Sequence, residues 1–117
     1  MVVSMQNNLD IALRYLFVDL AIKNLELDLQ HVMNGPFKIK EPYIEFIERM
    51  IFKAINERRE SKKLMCQRKI QVQFLHRQGD YSTYKFILDG KEQEMTFMNQ
   101  VIKKNVESIM KELIEDN

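Results

Sequence analysis

The sequence predicts an α+β fold in which helices pack on one face of a three-stranded antiparallel sheet, with the element order α-α-β-β-β-α. Apolar residues recur every three or four positions in two long blocks and in the final block, which is typical of helices. Between residues 69 and 97 the apolar period shortens to two, which is typical of half-buried strands. A chain of 117 residues with three Gly and two Pro has the size and composition of a single domain.

The first helix is predicted over residues 8–33. Asn7 or Asn8 can cap its start through a side-chain oxygen, and Asn34-Gly35-Pro36 can end it. Its apolar residues form two stripes on nearly opposite sides of the helix. The first stripe consists of Leu9, Leu13, Leu16, Leu20 and Leu27, and the second of Ile11, Val18, Ile22, Leu25, Leu29 and Val32.

Two opposed apolar stripes must both be covered, because each would otherwise expose apolar surface to water. Either the helix is sandwiched within the monomer, or one stripe contacts another chain. A domain of this size has few elements with which to cover both sides, so the second alternative is slightly favoured. The predicted interaction surface is therefore on the second stripe, at Ile11, Val18, Ile22, Leu25 and Leu29, and the predicted partner is a second copy of the chain.

A second helix is predicted over residues 42–67. Pro42 suits the first turn of a helix, because its missing N–H would have no partner there. Tyr43, Ile47 and Met50 begin its apolar stripe, whereas residues 56–63 contain no apolar side chain and are expected to face solvent. The last helix is predicted over residues 98–115, where apolar residues again recur at helical spacing.

Three strands are predicted, over residues 69–77, 81–88 and 93–97. Their apolar side chains alternate with polar ones, so one face of the sheet is expected to lie under the helices. This face consists of Ile70, Val72, Phe74, Tyr84, Phe86, Met95 and Phe97.

The two hairpins follow from matching the apolar side chains of neighbouring strands. Placing Phe74 opposite Tyr84 requires a three-residue loop of residues 78–80. Asp89-Gly90 favours a two-residue turn, but a four-residue loop sets Tyr84 opposite Phe97. Because register is specified by the buried face, the longer loop is predicted.

The charge is unevenly distributed although the formal net charge is only +1. Residues 38–69 carry ten basic and five acidic side chains, and the segments on either side each carry a net charge of −2. Clustered Lys and Arg are typical of contacts with a phosphate backbone, but Glu57 and Glu60 can pair with the arginines, and a solvated helix face or a docking patch for an acidic protein is favoured. The candidate basic patch is Arg58, Arg59, Lys62, Lys63, Arg68 and Lys69.

Catalytic and metal-binding signatures are not recognised. His31 and His76 each lack a second ligand at metal-binding spacing, and Cys66 has no recognisable base. Three scattered Gly residues do not form a phosphate-binding loop. We therefore expect no enzymatic activity, no catalytic residue, no metal and no cofactor.

The compartment is expected to be the cytoplasm. A single Cys fits a reducing compartment. The first residues lack the pattern of a signal peptide, and no apolar stretch reaches the length of a membrane span.

The sequence does not identify a function, and its element order recurs in many unrelated small bacterial proteins. The leading hypothesis is a non-enzymatic protein-interaction or regulatory protein that acts as a homodimer. The second is a nucleic-acid-associated protein that uses the basic second helix. The third is a small-ligand binder with a pocket between the sheet and the helices that includes Tyr84 or His76.

Overall fold

The computed structural model describes the chain from residue 5 to residue 115, and its side chains from residue 7. Its elements are α1 (Met5–Asn34), α2 (Glu41–Gln67), β1 (Gln71–Gln78), β2 (Tyr81–Leu88), β3 (Lys91–Met98) and α3 (Asn99–Glu115). The strands form one antiparallel sheet in the order β1-β2-β3, and the helices pack against it. The predicted fold class and element order are confirmed.

Helix α1 begins at Met5, earlier than predicted, so that Asn8 lies inside the helix instead of capping it. Asn8 is almost fully buried. Its side-chain amide donates a 3.0 Å hydrogen bond to Asp89, and its oxygen accepts one of 3.2 Å from Arg68. Asn8 therefore joins the start of α1 to the end of α2 and to the turn between β2 and β3.

Helix α1 is the central element, since it contacts α2, α3, β1 and β2. Arg14 donates two hydrogen bonds to Glu57 of α2, at 2.6 and 2.9 Å, and a third to Glu112 of α3 at 2.7 Å. The hydrogen bonds that Arg14 donates to Glu57 are the largest cause that holds the pKa of Arg14 above its ordinary value. One side chain thereby connects all three helices.

The second stripe of α1 is covered within the monomer. Val18, Ile22 and Leu25 are at most 1% exposed, and Ile11 and Leu29 are half-buried. Helix α1 is therefore sandwiched within its own chain, which is the first of the two alternatives. The first stripe is instead exposed to solvent near the C-terminal end of α1, where Leu27 is 55% exposed.

The first hairpin has the predicted pairs but a different loop. Phe74 lies opposite Tyr84, as expected, but Gln78 lies opposite Tyr81. The three-residue loop is therefore wrong, and the turn contains two residues. A β-bulge between Phe74 and His76 takes up the extra residue of β1.

The second hairpin has the shorter loop, and the four-residue prediction is wrong. Leu88 lies opposite Lys91, and Tyr84 lies opposite Met95 instead of Phe97. Asp89 and Gly90 have φ values of 54° and 76°, the positive values that a type I′ turn requires at both central residues. Apolar matching could not decide between the registers, because they differ by two residues and leave the same side chains on the same face.

The sheet covers only part of α1. Thirty residues of helix extend about 45 Å, whereas eight residues of strand extend about 27 Å. Because Asn8 lies at the β2–β3 turn, the last turns of α1 extend past the other end of the sheet. The chain measures 52 × 36 × 19 Å. Among the described residues, no helix is long and apolar enough to cross a membrane.

The burial of the two stripes predicts the effect of shortening one side chain on each. Ile22→Ala should lower the free energy of unfolding by about 3 kcal/mol, because it leaves a cavity in the core. Leu27→Ala should lower it by less than about 1 kcal/mol, because that side chain is largely exposed. Urea unfolding measures both. The loss in Ile22→Ala should be the same at low and high protein concentration, and a loss that depends on concentration would place this stripe between chains.

Candidate functional site

A groove of about 730 Å³ lies between α1 and α3, beside the β1–β2 end of the sheet. We call it the helix groove. Ile102, Val106, Met110 and Ile114 recur every fourth residue on one flank of α3, and Leu20 and Leu27 line the opposite wall on α1. Leu27 and Ile114 are 55% and 45% exposed. The groove therefore has a largely apolar floor that is open to solvent, interrupted by Asn24, whose side-chain amide donates a 3.6 Å hydrogen bond to the Sδ of Met110.

The rim of the helix groove is basic. Lys23, Arg77, Lys103 and Lys111 line it, whereas Glu107 is the one carboxylate among its described lining residues. Lys23 pairs with Asp19 at 3.0 Å, and Lys111 pairs with Glu107 at 3.5 Å. Within the described part of the chain, Arg77 and Lys103 form no ion pair. The rim is thus suited to negatively charged groups.

Tyr84 lies at the sheet end of the helix groove. It is 7% exposed, and burial is the main cause that raises its pKa, opposed by the nearby charge of Lys23. Ser82 donates a 2.6 Å hydrogen bond to Asn99, whose amide donates to the carbonyl of Gly79. The pocket between sheet and helices is thus lined by Tyr84 but not by His76.

No three His, Cys, Asp or Glu side chains of the described residues lie close enough together to hold a metal ion.

A second groove, of about 650 Å³, runs along β1. We call it the edge groove. Four consecutive residues, Ile70 to Gln73, form one side of it, and Lys62, Cys66 and Lys69 lie on the other side. With Lys85 of β2, three lysines from three parts of the chain line the edge groove. The described residues that line this groove include no carboxylate.

The structure divides the predicted basic patch. Arg58 donates a 2.8 Å hydrogen bond to Asp19, and Arg68 donates to Asn8, so both are engaged by α1. Arg59 donates to the side chain of Asn56 at 3.0 Å and is exposed. Lys62 and Lys69 lie in the edge groove.

The sixth residue of the patch, Lys63, is exposed but does not line the edge groove. Lys85 was missed by sequence reasoning, because it resembles any polar residue on the solvent side of a strand. The lysines of the helix groove were missed because they are separated along the sequence and meet only in the fold.

Lys69 adopts an unusual backbone conformation. Its φ is 55°, the left-handed region that a residue just after a helix often adopts and that usually contains Gly. The N–H of Ile70 donates to the carbonyl of Met65 at 2.8 Å, which closes the end of α2. A lysine therefore occupies a position at which glycine would be less strained.

Two comparisons with known proteins identify similar sequences. A family described as YhjD protein matches residues 4–117. A Bacillus subtilis (strain 168) protein named Uncharacterized protein YhjD is 28% identical over 101 residues, which cover 86% of this chain and 84% of that protein. No solved structure matches. Neither printed name states an activity.

Lys69→Gly should stabilise the protein. A left-handed conformation costs a non-glycine residue about 1–2 kcal/mol, and glycine loses about 0.5–1 kcal/mol more backbone entropy on folding. The free energy of unfolding should therefore rise by roughly 0.5–1 kcal/mol. Lys69→Ala removes the same charge without relieving the backbone and should leave the stability nearly unchanged. Equal effects of the two variants in urea unfolding would contradict this account of Lys69.

Tyr84 should make stability fall at high pH. Its pKa is raised in the folded state, so its contribution is fully present below the ordinary tyrosine pKa of about 10. The contribution is lost as the pH rises through the folded-state pKa. Tyr84→Phe should therefore lose less stability than the unmodified protein between about pH 9.5 and 11. Tyr81→Phe, at an exposed tyrosine, is the control. Identical pH profiles for Tyr84→Phe and the unmodified chain would refute the prediction.

Proposed function

The chain belongs to the YhjD protein family, and we propose that it is a non-enzymatic protein-interaction protein that binds an acidic amphipathic helix of another protein in the helix groove. The observation that carries the proposal is the open apolar floor of this groove beneath a basic rim. An exposed apolar patch bordered by charged residues is typical of an interaction site.

The shape of the floor favours a helical partner. Its walls are two helices, and the apolar residues of α3 recur every fourth position from Ile102 to Ile114. At 1.5 Å per residue this row is about 18 Å long, which matches roughly twelve residues of a bound helix. Helices that bind in such grooves insert a stripe of apolar side chains spaced three or four residues apart.

The charge of the rim favours an acidic partner that is a different protein. Carboxylates flanking the apolar stripe of the bound helix would face Arg77 and Lys103, which lack an ion pair with the described residues. Two copies meeting groove to groove would instead bring two basic rims together. The burial of Val18, Ile22 and Leu25 also removes the observation from which self-association was inferred.

A small-molecule ligand fits the helix groove less well. Small-ligand sites bury most of the ligand surface, whereas this groove is open to solvent along its length. Its polar groups are also spread along the rim instead of converging on one point. The volume alone, which falls within the usual range for ligand pockets, does not distinguish the two occupants.

Binding of designed peptides tests the proposal. The probe is a fluorescein-labelled helical peptide of about fourteen residues, with leucines on one stripe and glutamates beside them. A second peptide has lysine at every glutamate position. We expect the acidic peptide to bind with micromolar affinity that weakens with added salt, and the basic peptide to bind at least tenfold more weakly. Equal binding of the two peptides, or no binding of the acidic one, would refute the proposed function.

Matched variants locate the bound peptide. Leu27→Asp should weaken binding about tenfold, or roughly 1.4 kcal/mol, whereas Phe52→Asp, at an exposed apolar residue of α2 outside the groove, should not. Lys103→Glu should weaken binding to a similar extent, whereas Lys104→Glu makes the same charge change just outside the lining. Fluorescence anisotropy measures the peptide affinity of all four variants. Equal losses within either pair would place the peptide elsewhere on the protein.

A further inference from the structure

Strand β1 is an edge of the sheet. The strand order β1-β2-β3 gives it one neighbour, β2. Within the described part of the chain, residues 71–78 make no backbone hydrogen bond outside the sheet. Alternate N–H and C=O groups of β1 therefore face away from β2, and residues 71–73 of this strand line the edge groove.

The two edges of the sheet differ in how they are protected against pairing with another strand. The β3 edge carries charged residues, among them Lys91, Glu92 and Glu94, which discourage pairing. The second half of β1 has a bulge after Phe74 and a charge at Arg77. The first half, residues 71–74, has no charge, no Pro and no bulge. This half borders the edge groove and is able to accept a further strand.

Three lysines surround this open segment. Lys62 lies on α2, Lys69 on the connection to β1, and Lys85 on β2. Lys85 pairs with Glu92 at 3.0 Å, whereas the side chains of Lys62 and Lys69 form no ion pair with the described residues. Lys69 also retains a positive charge at a left-handed position, φ 55°, where glycine would be more stable. A local cost of this kind is expected where a side chain serves binding.

We propose that the edge groove binds an extended, acidic peptide segment, which adds a fourth strand beside residues 71–74 of β1. The backbone of the segment would pair with the free N–H and C=O groups of β1, and its carboxylates would face Lys62, Lys69 and Lys85. Strand addition of this kind takes affinity from main-chain hydrogen bonds and specificity from the flanking side chains.

A nucleic acid would contact the same lysines but would pair with fewer of the free backbone groups of β1. A strand edge presents both donors and acceptors, whereas phosphate oxygens only accept hydrogen bonds. Another peptide strand matches both kinds of group. The apolar lining residues Met65 and Val72 likewise suit alternate apolar side chains of a peptide.

The test uses an eight-residue fluorescein-labelled peptide of alternating valine and glutamate. The matched control peptide alternates valine and lysine. Anisotropy at low salt should show binding of the acidic peptide alone. Binding should slow the reaction of Cys66, the one cysteine of the chain, with Ellman's reagent, because Cys66 lines the edge groove.

Two comparisons test whether binding depends both on the charge of Lys69 and on backbone pairing with β1. Lys69→Gly should weaken binding at least fivefold while raising the free energy of unfolding, so that misfolding cannot explain the loss. Lys104→Ala, at an exposed lysine outside both grooves, should leave binding unchanged. Two further peptides are N-methylated at alternate amides. The peptide methylated at the amides that face β1 should bind at least tenfold more weakly, and the peptide methylated at the other amides should bind as before.

Three results would overturn the inference. They are unchanged affinity in Lys69→Gly, equal binding of the two methylated peptides, and binding of a ten-residue oligothymidylate without binding of the acidic peptide. The last result would indicate a nucleic acid in the edge groove. Because the edge groove and the helix groove share no lining residue, Leu27→Asp should not alter binding of the strand peptide, and either proposal can fail without the other.

Discussion

The fold depends on covering helix α1 on two opposite sides with a small number of elements. Helix α2 packs along it, and α3 and the sheet cover other parts of its surface. Arg14 connects the three helices at the border of the core, because its guanidinium donates hydrogen bonds to Glu57 of α2 and Glu112 of α3 at once. Asn8 adds a second connection, from α1 to the end of α2 and to the β2–β3 turn.

The same constraint explains the helix groove. The sheet is shorter than α1, and α1 begins beside the β2–β3 turn, so the sheet ends before the helix does. Leu20, near Tyr84, is still half-buried, whereas Leu27, about two turns further along α1, is 55% exposed. The second stripe, which includes Val18 and Ile22, lies in the core. The helix groove therefore lies where the sheet no longer covers α1, and its basic rim is the reason that an acidic partner is proposed.

Much of the fold follows from sequence periodicity, whereas the sites depend on long-range geometry. The element order and the pairing of Phe74 with Tyr84 were predictable, because apolar period and face are local properties. The second hairpin was predicted wrongly, because two registers kept Met95 on the same face and the conformational preference of Asp89-Gly90 decided between them. The open stripe of α1 could not be identified, because its cover depends on the lengths of elements distant in sequence. The pairing of Arg58 with Asp19, which divides the basic patch, likewise requires the packed helices.

The proposed partner helix lies on the apolar floor between α1 and α3. The methionine methyl groups provide a direct measurement, because Met110 lines this floor whereas Met33 is an exposed methionine outside it. In a spectrum of protein labelled with ¹³C at the methionine methyls, titration with the acidic helical peptide should shift the Met110 resonance and leave that of Met33 in place. A Met110 resonance that stays unchanged at saturating peptide would contradict the account.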